Sequence, residues 1–231
     1  MDLMKRRLRY SETKFFSFYH LHYYFSKEAE IGGVRKMILD FKRYEEAAVR
    51  HFIMEALETM QLLDMEDYVL IVRALSSQEL VIGDMGRGSV DRLGQSLAAV
   101  FGWDYDPEVI YKKRHALPVK TMRILQRQAV LDGIYAFNPE PFENLTRVLI
   151  IDDIVTTGTT VRAIAAPILK AFPKAEIMVF ALAWTPTARQ QERILQTTSE
   201  SFVLHEPESE YNTPGKWLDT DYEFSETHVT I

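Results

Sequence analysis

Two adjacent carboxylates, Asp152 and Asp153, end the apolar run Val148-Leu149-Ile150-Ile151. Ile154 and Val155 follow, then the hydroxyl-rich cluster Thr156-Thr157-Gly158-Thr159-Thr160. Each residue type has a use in one kind of chemistry. Backbone N–H groups in a short loop and at a helix N-terminus have no internal acceptors, so they can hold a phosphate, and the helix dipole favours the same charge. Gly158 permits a positive φ and close backbone approach. Each threonine hydroxyl can donate one further hydrogen bond. The two aspartates repel phosphate, but they suit sugar hydroxyls or a Mg²⁺ held through water. Phosphate donors and carboxylates together imply a phosphorylated sugar, a metal, or both.

Such a loop needs a strand behind it and a helix ahead of it. Arg147–Ile151 is continuous and β-branched, which predicts a buried strand. Thr159–Phe172 carries Val161, Ile164, Ala165, Ile168 and Leu169 on one face and predicts a helix. Glu176–Ala183 predicts a second buried strand. Strand, helix and strand with short joints imply a right-handed crossover in a parallel sheet, and ligands bind such sheets at the carboxyl ends of the strands. Elsewhere, Tyr68–Arg73, Val109–Tyr111 and Ile134–Phe137 predict strands. Val34–Leu63 (in two pieces), Arg87–Phe101 and Thr187–Leu195 predict helices, with a further helical piece near Met122–Leu131. Residues 1–26 are basic and then aromatic, which suits a strand or an irregular packed segment.

The chain has 231 residues, 47% of them apolar and 26% charged, which are ordinary globular proportions. It contains no cysteine, which excludes disulfides and cysteine-ligated zinc. Charges recur from the N-terminus onward, so no signal-peptide pattern is seen, and no apolar run has the length of a membrane span; a cytoplasmic protein is expected. The net charge of −6 argues against a general nucleic-acid binder. The charge is uneven. Lys112, Lys113, Arg114, Lys120, Arg123 and Arg127 lie in a stretch without acids, whereas the tail from Glu200 is acidic. His20 and His22 read as surface or packing residues rather than metal ligands. Lys5, Arg6, Arg7 and Arg9 read as a solvated terminus, and Trp184 as packing, with lining of an acceptor pocket as the alternative.

The string of an apolar strand, two acids and Thr-Thr-Gly-Thr-Thr resembles the signature of type I phosphoribosyltransferases. Two further stretches are similar to the ComF-like, amidophosphoribosyltransferase-like branch of that family. One runs from Tyr24 through Ile31-Gly32-Gly33 to Phe41-Lys42, and the other is Asp91-Arg92-Leu93-Gly94-Gln95-Ser96-Leu97-Ala98. The zinc module usual in ComF-like proteins is absent from this sequence, and the loop after Arg73 lacks the family's proline. The resemblance implies an α/β type I phosphoribosyltransferase fold, with a mainly parallel central sheet flanked by helices and a small hood. It implies a single domain over residues 1–231, with its core at about 31–184 and a hood or appendage from 1–30 and 185–231. It implies binding of 5-phosphoribosyl-1-pyrophosphate (PRPP) by Asp152, Asp153, Ile154, Val155, Thr156, Thr157, Gly158, Thr159 and Thr160. The aspartates would contact the ribose and, through water, Mg²⁺. Arg73, Ala74, Leu75, Ser76 and Ser77 would form a pyrophosphate loop, a place where relatives often hold a non-proline cis peptide. Lys112, Lys113, Arg114 and His115 would form a mobile loop that closes over the pyrophosphate. The implied activity is Mg²⁺-dependent transfer of phosphoribosyl to a nitrogenous acceptor that the sequence does not name. The alternative is a non-catalytic PRPP sensor or a ComF-like accessory of DNA uptake. Single-stranded DNA is a partner the net charge does not favour, no membrane partner is indicated, and a homodimer is the common arrangement among homo-oligomers.

Overall fold

The computed structural model describes residues 3–25, 33–63, 69–76, 79–80, 88–106, 108–114, 130–201 and 227–229. Its strands in chain order are β1 (Leu3–Arg9), β2 (Phe15–Tyr23), β3 (Leu70–Arg73), β4 (Asp104–Tyr105), β5 (Ile110–Lys112), β6 (Tyr135–Phe137), β7 (Arg147–Val155), β8 (Glu176–Trp184) and β9 (Thr227–Val229). Its helices are α1 (Val34–Lys42), α2 (Glu46–Gln61), α3 (Ser89–Phe101), α4 (Thr159–Ala171) and α5 (Ala188–Ser201).

Seven strands make the main sheet, in the order β4-β3-β7-β8-β2-β1-β9. The pairs β3–β4, β3–β7, β7–β8 and β2–β8 are parallel, while β1 is antiparallel to both β2 and β9. The fold is therefore α/β, a mainly parallel mixed sheet flanked by helices. β5 and β6 form a separate antiparallel pair. The pleat explains why β7 is apolar on both sides. Val148 and Ile150 pack with Val161, Ile164 and Ile168 of α4, whereas Leu149 and Ile151 pack with Ile38 and Phe41 of α1, Phe52 of α2 and Leu93 of α3.

The first strands depart from expectation. Residues 3–23 are not set apart in a hood; β2 pairs in parallel with β8 from Ser17↔Met178 to Tyr23↔Trp184 and continues the main sheet. The physical reason is alternation: Phe16 and Phe18 enter one core while Tyr19 and Leu21 enter the other. The basic N-terminal run is likewise a strand and not a solvated tail. Arg6 is 3% exposed, lies 3.9 Å from the Trp184 ring centroid and donates from Nε to His20 Nε2 at 3.0 Å. Burial, and then the Arg6 charge, push the His20 imidazole down to about 3, so it stays neutral and accepts that bond. The helical piece expected near Met122–Leu131 lies outside the described residues over 122–129. No helix among the described residues is long and apolar enough to cross a membrane.

Candidate functional site

β7 runs four residues past the expected end at Ile151 and carries both aspartates within the strand. Strand propensity disfavours Asp, but pairing with β8 continues, from Asp152↔Ala181 to Val155↔Trp184. On its other side β3 stops: its last residue, Arg73, sits opposite Ile151, and the Ala74 N–H donates to the Ile151 carbonyl at 2.9 Å. From Asp152 onward that edge of β7 is unpaired by β3, and a cavity opens there.

The turn Thr156–Gly158 leads into α4. Gly158 has φ 71°, and a Cβ placed on it would sit 2.6 Å from Leu8 Cδ1 of β1. Glycine is thus required here twice, by the left-handed backbone and by the core beneath. No side chain caps α4, which leaves its first amides without a side-chain acceptor. Thr157 and Thr159 hydroxyls lie 2.8 Å apart. Arg162 holds the loop from behind, donating to the Thr157 carbonyl at 3.0 Å and to Thr159 Oγ1 at 3.4 Å.

One cavity of about 440 Å³ is lined by all nine residues from Asp152 to Thr160. Tyr24, Leu39, Lys42, Leu131, Val161 and Thr185 complete its wall. Lys42 closes α1, and its Nζ lies 2.7 Å from Asp153 Oδ2. The Phe41-Lys42 dipeptide was visible in the sequence, but nothing local tied it to Asp153. The pleat sends the neighbouring acid the other way. Asp152 lies on the side of Tyr135, whose phenol is raised first by burial and second by the Asp152 charge. Burial, reinforced by the Asp153 charge and opposed by Lys42, pushes the Asp152 carboxyl up to about 8. Asp152 Oδ1 also accepts the Asp153 N–H at 2.8 Å. Among the described residues no cluster of three or more His, Asp or Glu could hold a metal by itself. Two carboxylates beside an uncapped helix N-terminus are a donor set compatible with Mg²⁺, which is commonly bound by one or two carboxylates together with substrate phosphates.

The loop after β3 has a different disposition. Arg73, Ala74, Leu75 and Ser76 do not line this cavity. Arg73 is buried and pairs with both oxygens of Glu79, NH1 to Oε2 at 3.0 Å and NH2 to Oε1 at 2.7 Å. Its Nε has no hydrogen-bond partner and lies 3.7 Å from Asp91 Oδ1. The Ser76 N–H donates to Glu79 Oε2 at 2.7 Å. With the Ala74 N–H on Ile151, two of the amides expected to face a pyrophosphate are used internally. No peptide bond among the described residues is cis.

Lys112 is not in a loop. It is the last residue of β5, is 4% exposed, and donates from Nζ to the Leu75 carbonyl at 3.1 Å and to the Ser76 carbonyl. Burial pulls its ammonium down to about 8. Alternation in the small sheet explains the placement, since Ile110 and Lys112 face inward while Tyr111 faces out. Lys113 and Arg114 follow and are exposed. Ser77 and His115 lie outside the described residues. Arg92 and Gln95 are also occupied away from the cavity: Arg92 pairs with Glu46 and Gln95 donates to Asp91. His22 bonds Glu55 at 2.9 Å, and Trp184 is buried beneath Arg6. No protein-family model matches the chain, and no curated protein matches it.

Proposed function

We propose that this chain is a Mg²⁺-dependent phosphoribosyltransferase with a type I phosphoribosyltransferase fold. It takes PRPP as donor and an unidentified nitrogenous compound as acceptor. The observation that carries the reading is the meeting, in one cavity, of two carboxylates, Lys42 and an uncapped helix N-terminus behind a left-handed glycine. Amides of Thr157–Thr160 and the threonine hydroxyls hold the 5-phosphate. Asp152 and Asp153 take the ribose hydroxyls, and Lys42 keeps Asp153 oriented. In the transfer the C1–oxygen bond to pyrophosphate breaks, the acceptor nitrogen bonds to C1, and that nitrogen releases its proton to solvent. Mg²⁺, when bound through the donor and the aspartates, supplies charge neutralisation for the departing pyrophosphate. Tyr24 and Thr185 border the space left for the acceptor.

A specific observation favours the second reading, a non-catalytic PRPP sensor. Glu79 sits among Arg73 and the Ser76 amide, the groups a pyrophosphate would use. Calorimetric titration separates the readings. Wild type is expected to bind PRPP with Mg²⁺ and ribose 5-phosphate, and Asp152→Asn with Asp153→Asn to lose about tenfold or more, since a charge-assisted hydrogen bond contributes about 1.5–3 kcal/mol. Release of pyrophosphate with any member of a nitrogenous acceptor panel establishes transfer. Glu79→Gln is expected to strengthen PRPP binding while leaving ribose 5-phosphate unchanged. PRPP binding without turnover in either form selects the sensor, and no binding of either ligand rejects both readings.

A further inference from the structure

We propose that a cavity on the flank of α4 is a second phosphate site that takes a nucleoside polyphosphate, coupled to the first site through Arg162. The site stands on its own geometry; the coupling rests on the reading of Asp152–Thr160 as a phosphoribosyl site. The cavity has a volume of about 510 Å³, against about 440 Å³ for the first, and the two share Leu131 and Thr159 as walls. Its charged lining is Lys113, Arg162 and Lys170 against Asp132 alone, so its field favours an anion. Arg162 and Lys170 are eight residues apart on one helix. That places them on the same face about 12 Å apart, with Lys113 entering from the end of β5. A chain of phosphates can engage two of these cations at once.

Between the cations the surface is apolar and low. Ala163, Ala166 and Pro167 form the floor, with Tyr135 beside them. A flat ring system can lie against such a floor, which inorganic phosphate alone would leave empty. Pro167 has no N–H to return to the Ala163 carbonyl, so that oxygen lacks its usual helical donor on the cavity wall.

Arg162 belongs to both sites. Its guanidinium donates to the Thr157 carbonyl, to Thr159 Oγ1 and, at 3.4 Å, to the Arg9 carbonyl, and it also lines the second cavity. A polyphosphate there competes for the guanidinium and places negative charge across a shared wall from the first phosphate. Occupation of either site therefore weakens the other, by the same factor in both directions.

The test is calorimetry on the full chain with ATP as probe, titrated alone and at rising ribose 5-phosphate. The expected result is one ATP per chain, weakened about fivefold or more to a plateau as ribose 5-phosphate saturates. The double variant Lys113→Gln, Lys170→Gln, both exposed positions, adds no negative charge beside the shared wall; it is expected to lose about fivefold or more in ATP affinity, while ribose 5-phosphate, which carries no pyrophosphate for Lys113 to meet, binds as before. ATP affinity that falls without a plateau as ribose 5-phosphate rises, and ignores both lysine substitutions, places ATP in the first cavity and overturns the second site. Absence of ATP binding overturns it too. Binding of an oligothymidylate that needs Lys113 and Lys170, with none of ATP, overturns the nucleotide assignment in favour of single-stranded DNA. ATP binding that depends on both lysines, with no binding of ribose 5-phosphate, sustains the second site and removes the phosphoribosyl reading and the coupling.

Discussion

Asp152 lies within β7, on the wall of the cavity, with a second carboxylate next to it in the chain. Its proton is held more tightly in the folded protein than in the unfolded chain, because burial and the Asp153 charge raise its pKa. The consequence for stability has a definite sign. The proton-linked stability is fully present below the unfolded carboxyl pKa and is lost as pH rises towards about 8. The ligand-free protein should therefore melt several degrees lower at about pH 8 than at about pH 5, given that each kcal/mol moves the midpoint of a chain this size by about 2–4 °C. Asp152→Asn should flatten that slope, and a thermal melt of both proteins across the range checks it. An unchanged slope in the variant would rule out Asp152 as its source. The residue type was legible in the sequence; its protonation was not, because the pKa depends on Lys42 and on burial that only folding creates.

β7, the turn and α4 act as one element. Their order was legible because an apolar run, a glycine and a helical face are local patterns. The length of β7 was not, since Asp152, Asp153 and the residues after them are carried as strand by β8 rather than by their own propensity. Gly158 shows the same division. A turn glycine was expected, but its close neighbour proved to be Leu8, a residue of the second strand from the far edge of the sheet. Gly158→Ala should cost about 1–3 kcal/mol, combining the left-handed backbone penalty with the overlap against Leu8. It should also weaken ribose 5-phosphate binding, because the α4 amides shift with the turn. Urea unfolding and calorimetry measure the two effects. A variant as stable as wild type would show that Leu8 and the backbone both yield without cost.

The whole molecule is organised by a sheet in which the first two strands of the chain extend the parallel run β3-β7-β8 beyond β8. β2 covers the β8 edge, where every residue from Ile177 to Trp184 is buried. Removing residues 1–25 strips that cover and leaves a nine-residue, almost wholly apolar strand edge for intermolecular pairing. The truncated chain should aggregate or lose cooperative unfolding, as read by size-exclusion chromatography and circular dichroism. A soluble, cooperatively melting 26–231 fragment would restore the idea of a separable N-terminal hood.

From its own order of residues the chain determined the β7–turn–α4–β8 unit, the absence of cysteine chemistry and the run of acids, threonines and glycine from Asp152 to Thr160. These are properties of neighbours along the chain, set by side-chain periodicity and turn chemistry. Only the tertiary structure decided that Lys42 meets Asp153, that Glu79 occupies Arg73 and the Ser76 amide, that Lys112 points inward, and that Arg162 stands between two cavities. The reason is that a side chain's partner is chosen by packing between distant elements. The pleat of β5, the stop of β3 opposite Ile151 and the closing of β2 onto β8 set those meetings, and none of them leaves a mark on the residues next door.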